Sequence, residues 1–126
     1  MTRTGTGIFA PRDNVIEEEE APRGLSLSVG SIASDGTITL DLRNYSLVPF
    51  VFAGSQNRPR LVIETLSGTT RSRSTIQPSI RRRTADVPPG ERIQVTTNIG
   101  GISGRVRIGI QSHEFGYVVW TSWIVR

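Results

Sequence analysis

From Leu25 onward the chain alternates apolar and polar residues with a period of two. Leu25, Leu27 and Val29 alternate with Ser26, Ser28 and Gly30; Ile38, Leu40 and Leu42 alternate with Thr37, Thr39, Asp41 and Arg43. Successive side chains of a strand point to opposite faces, so this spacing predicts half-buried antiparallel strands. Ser34-Asp35-Gly36 between the two runs predicts a hairpin turn, because Asp-Gly reaches positive φ at little cost. Phe50 to Ala53, Leu61 to Leu66, Thr70 to Ile76, Ile80 to Val87 and Ile93 to Thr97 continue the series. Asn57-Arg58-Pro59, Ser67-Gly68-Thr69 and Pro88-Pro89-Gly90 punctuate it as breaks and turns. Arg105 to Gln111 places Val106, Ile108 and Ile110 on one face. After a turn at His113 to Gly116, Tyr117 to Val125 closes the chain as a strand apolar on both faces. Such a strand is central in a sandwich or is covered by something outside its own fold. Trp120 and Trp123, three apart on this strand, point to opposite faces; at least one is expected in the core, and Trp123 is the candidate interface anchor. No helical period is present. Short strands with turn signals about every ten residues predict an all-β fold, an antiparallel β-sandwich over residues 25–126.

Residues 1–24 break the alternation and read as an extended N-terminal arm. Met1 to Gly7 is polar and glycine-rich, Ile8-Phe9-Ala10-Pro11 is a short apolar peg, and Glu17, Glu18, Glu19 and Glu20 form an acidic run. Four adjacent carboxylates repel one another and oppose local folding. A solvated tail has no use for Ile8 and Phe9, so the peg favours an arm that orders on a neighbouring subunit. No signal-peptide core is visible in this stretch.

The composition narrows the chemistry. All fifteen basic residues of the 126 are arginine, there is no cysteine, and there is one histidine. Disulfides, thiolate metal sites, cysteine nucleophiles, lysine Schiff bases and a phosphate-loop lysine are therefore excluded. His113 falls in a turn beside Glu114, with no nucleophile-elbow spacing anywhere. The Glu17–Glu20 run lacks the spacing of a calcium loop. No catalytic residue, metal site or cofactor is expected. No apolar run approaches the roughly 20 residues of a transmembrane helix. Asn44-Tyr45-Ser46 fits a glycosylation sequon.

Charge is distributed unevenly. Residues 1–24 carry three arginines against five carboxylates, a net of −2; residues 58–83 carry seven arginines against Glu64 alone, a net of +6. Arg71 and Arg73 project from one face of their strand, as do Arg81 and Arg83 of the next, with Arg82 between them. If the two strands are neighbours, four guanidiniums line one face or edge. Four uses of that face are open: a solvated surface that blunts an edge strand, pairing with the acidic run of another copy, contact with nucleic-acid phosphates, and contact with an anionic membrane surface. Neither a recognition helix nor an RNA-binding sheet signature favours nucleic acid.

Ile38-Thr-Leu-Asp-Leu-Arg-Asn-Tyr-Ser46 and Val87-Pro-Pro-Gly-Glu-Arg-Ile-Gln-Val95 resemble an early strand and the turn-plus-strand of immunoglobulin-like and fibronectin-type-III-like sandwiches. The resemblance spans about 90 residues, Gly36 to Val125, without the disulfide of true immunoglobulin domains. It implies adhesion, scaffolding or decoration rather than catalysis. A jelly roll fits the same strand count. The expected function is a non-enzymatic structural protein acting in many copies, as a minor capsid, decoration or tail-associated component of a virion assembled in the host cytoplasm. Its partners would be other copies of itself and other structural proteins. A monomeric ligand- or surface-binding module, cytoplasmic or at the cell surface, and a nucleic-acid-binding protein are the alternatives.

Overall fold

The computed structural model describes residues 21–77 and 83–126, and every regular element among them is a β-strand. No helix long and apolar enough to cross a membrane is present among them. β1 (Leu25–Ile32) and β2 (Thr37–Asn44) form the hairpin predicted at Asp35-Gly36, where Gly36 takes a φ of 94° and the Asp35 carboxylate accepts the Thr37 N–H at 2.9 Å. A Cβ at Gly36 would run into the backbone of Gly100, so this turn needs glycine for space as well as for φ. β8 (Glu91–Asn98) joins the other edge of β2, making an antiparallel sheet in the order β1-β2-β8.

A second sheet is built from β5 (Leu61–Ser67), β6 (Thr70–Ile76), β9 (Arg105–Gln111), β10 (Val118–Trp120) and β11 (Ile124–Val125). Its order is β10-β9-β5-β6, with β11 also on β9. β3 (Phe50–Ser55), β4 (Arg58–Pro59) and β7 (Thr84–Val87) make a third sheet, β4-β3-β7. The inward faces meet in one core: Leu27, Ile38, Leu40, Leu42 and Val95 from the first sheet, Ile63, Val106, Ile108, Ile110 and Val119 from the second, and Phe50, Phe52 and Val87 from the third. This is the antiparallel β-sandwich that the alternation predicts.

Two local expectations change. Asn57-Arg58-Pro59 is a tight return rather than a break: Arg58 pairs with Ser55 and Pro59 with Gly54. Proline is tolerated there because β4 is a two-residue strand at a sheet edge. The strand expected over Ile80 to Val87 is described only as β7, since residues 78–82 lie outside the described chain.

The closing segment is two strands, not one. Trp120 faces Gly109, whereas Ile124 faces Val106, so four steps along the closing segment match three along β9. The extra residue is a bulge. Thr121 holds it: its N–H donates to Ile108 O at 2.8 Å and its hydroxyl accepts the Ile108 N–H at 3.1 Å, in place of a backbone carbonyl.

The arm expected over residues 1–24 lies outside the described residues as far as residue 20. Ala21 packs against the core, and Gly24 O accepts the Tyr45 N–H at 2.7 Å. The chain therefore enters the body beside the β2–β3 connection.

Candidate assembly interface

Register assembles a charged cluster on the outer face of the five-stranded sheet. Leu61 and Ile63 of β5 point into the core, which turns Val62, Glu64 and Leu66 outward. Glu64 stands opposite Arg107 on one side and Arg73 on the other, so β9, β5 and β6 present the row Arg107–Glu64–Arg73. The Glu64 side chain is only 1% exposed. One carboxylate oxygen, Oε2, accepts Arg73 Nε at 3.0 Å and Nη2 at 2.6 Å. The other, Oε1, accepts Arg107 Nε at 2.9 Å and lies 2.7 Å from Arg107 Nη2. Arg71 Nε is 3.9 Å from Oε1, a loose ion pair, and its side chain is 54% exposed. Burial pushes the Glu64 carboxyl up, but the hydrogen bonds and charges of Arg73 and Arg107 outweigh it and hold the carboxyl below its ordinary value.

The two tryptophans cover this row. Without a bulge they would lie on opposite faces; the extra residue after Trp120 restores Trp123 to the same face. The Arg107 guanidinium carbon is 4.0 Å from the Trp120 ring centroid and 5.0 Å from that of Trp123. Arg73 lies 5.3 Å from Trp120, and Arg71 5.9 Å from Trp123. Guanidiniums and indoles thus interleave, each cation against a π-face. Gly109 makes room for it: a Cβ there would collide with Val118 Cγ1 and come within 2.7 Å of Trp120 Cε3. The indole lies across β9 because residue 109 has no side chain.

Of the residues singled out in the sequence, the structure brings Arg71, Arg73 and Trp123 together. The expectation that one of Trp120 and Trp123 enters the core is overturned by the bulge. The four-guanidinium row is also corrected: β6 pairs with β5 whereas β7 pairs with β3, so Arg83, at the entrance to β7, does not continue the row of Arg71 and Arg73. Arg83 is exposed, and its carbonyl accepts the Gly54 N–H. Arg81 and Arg82, the peg residues Ile8 and Phe9, and Glu17, Glu18, Glu19 and Glu20 lie outside the described residues. Glu64, Arg107 and Trp120 are not among the interface residues that the sequence predicts. The available signal was Glu64 itself, the one carboxylate of the basic stretch, set on an otherwise apolar strand.

A glycan on the Asn44 sequon is incompatible with this fold. Asn44 is fully buried; its Nδ2 donates to Val48 O at 2.9 Å and Val87 O at 2.8 Å, and its Oδ1 accepts the Ser46 N–H at 2.9 Å and the Ser46 hydroxyl at 2.6 Å. His113 is exposed in its turn. Among the described residues no group of three or more histidines and carboxylates is placed to hold a metal ion. The chain matches no protein-family model and no curated protein.

Proposed function

We propose that this protein is a non-enzymatic structural component of a multi-copy assembly, a minor capsid, decoration or tail-associated part of a virion. In that assembly the acidic run Glu17–Glu20 of one copy meets the outer arginine–tryptophan face of another. One observation carries this reading: the outer sheet face sets four arginines, Arg71, Arg73, Arg105 and Arg107, against the single carboxylate of Glu64, a net of +3. Glu64 takes up Arg73 and Arg107, while Arg71 and Arg105 stay exposed to an outside carboxylate. Arginine and tryptophan on a rigid sheet are the residue types that dominate protein–protein hot spots, and the guanidinium fork matches a carboxylate.

The first two strands share a sheet with β8 while β9 and β10 pair in another, which supports the immunoglobulin-like form of the sandwich, where the first two and the last two strands likewise lie in opposite sheets. The virion assignment rests on the acidic arm, the basic face and a sequence with neither cysteine nor lysine.

Sedimentation of the full-length protein at micromolar concentration tests the proposal. The expected result is a species larger than a monomer that weakens as salt rises, and weakens further when Arg71 and Arg105 are both changed to glutamate. A monomer at every salt concentration refutes it. Tight, salt-dependent binding to single-stranded or duplex nucleic acid would redirect the basic face to phosphates.

A further inference from the structure

At the end of the sandwich where the chain enters the body, four apolar side chains stand in solvent. Leu47 is 95% exposed, and Tyr45, Val48 and Phe115 are exposed with it. Most exposed apolar residues are isolated and need no explanation. These are held in place. Asn44 and Ser46 turn inward, and the hydrogen bonds of Asn44 to Ser46, Val48 and Val87 pin the loop, so Tyr45 and Leu47 are forced outward. Phe115 comes to the same end because Phe52 bridges Ser112 and Val51 O accepts the His113 N–H, setting the β9–β10 turn beside the start of β3. Its ring stacks on Tyr117 at 6.4 Å, and Tyr117 packs on buried Phe50 at 6.0 Å. The patch is preorganised, which lowers the ordering cost of binding.

The geometry points to an occupant from this chain: the Ile8-Phe9-Ala10-Pro11 peg of a second copy. Gly24 lies against Tyr45, so the described chain begins beside the patch. Phe9 stands twelve positions before Ala21, a reach of about 40 Å when extended. With arm root and acceptor at one end of the molecule, two copies meeting end to end about a two-fold axis each deliver a peg to the other. That exchange is isologous and closes as a dimer. The inference rests on the reading of the protein as an assembly component, and it adds a second, apolar contact to the charged one.

The protein has no cysteine, so introduced thiols report the contact without background. Full-length Phe9→Cys is mixed with full-length Leu47→Cys and oxidised. A disulfide-linked heterodimer is expected, formed at least tenfold faster than when Phe9→Cys is mixed with Ile32→Cys, whose site is exposed at the end of β1 away from Leu25 and Asn44. Equal rates overturn the inference. So does a chain carrying both Phe9→Cys and Leu47→Cys that closes only on itself, which would mean the peg is captured by its own body. Leu47→Asp should remove the dimer at high salt, where the charged contact is screened. If Leu47→Asp leaves the mass unchanged while Arg71→Glu with Arg105→Glu lowers it, the apolar exchange fails and the assembly reading stands. A monomer in every case sinks both.

Discussion

Replacing Glu64 by glutamine keeps the side chain's shape and removes its charge. The buried carboxylate is the common partner of Arg73 and Arg107, whose side chains are 26% and 20% exposed. In glutamine one oxygen becomes an amide NH2, which turns donors toward the donors of one guanidinium. Breaking a buried ion pair by removing one member costs about 3–5 kcal/mol. Both guanidiniums can recover some water here, which places the expected cost lower, at about 2–3 kcal/mol. With a urea slope of about 1–3 kcal/mol per molar for a domain of this size, the unfolding midpoint should fall by roughly 0.7–3 M. Both tryptophans lie on the cluster, so fluorescence reports it directly, and coincident far-ultraviolet circular dichroism tests for a two-state transition. Arg71→Gln is the control: its 3.9 Å contact is largely exposed, and its loss should cost less than about 0.5 kcal/mol. A double-mutant cycle of Glu64→Gln with Arg107→Gln should return a coupling above about 1 kcal/mol. A Glu64→Gln midpoint within error of the parent, or an Arg71→Gln cost as large, would refute the view that Glu64 organises the face.

Two further outcomes follow from the same cluster. Gly109→Ala should displace the Trp120 ring from β9, with a loss of about 1–3 kcal/mol from overpacking and increased acrylamide quenching of tryptophan; unchanged quenching would show that the ring is seated by something else. The Glu64 carboxyl is held below its ordinary value in the folded protein. Its contribution is therefore complete above the unfolded-state pKa of about 4.3 and is lost as pH falls through the lower folded value. The stability gap between the parent and Glu64→Gln should stay constant from neutral pH to about 5 and then shrink; a gap that persists to the lowest pH at which both fold would contradict this.

The alternation of Ile38, Leu40 and Leu42, and of Val106, Ile108 and Ile110, was enough to state the fold class and the core faces. A strand alternates its side chains whatever its neighbours do, so this information is local. The Asp35-Gly36 hairpin was legible for the same reason. Arg71 and Arg73 sharing a face was a property of one strand. Which arginines join them depends on which strands pair, and β6 and β7 belong to separate sheets. Glu64 looked like a lone acid in a basic stretch. Only antiparallel register with β6 and β9 sets it between two guanidiniums distant in sequence.

The tryptophans mark the boundary most clearly. Their residue type and spacing announced an anchor, and the period-two rule placed them on opposite faces. One extra residue, held by the Thr121 hydroxyl, shifts the register and brings both over Arg107. The sequence by itself determined an all-β body, its turns and an uneven distribution of charge, because strand period and turn chemistry are written within a few residues. The tertiary structure decided which charges are neutralised, which tryptophan faces are covered and where the exposed apolar end lies, because register, bulges and strand order are set by contacts between segments far apart in the chain.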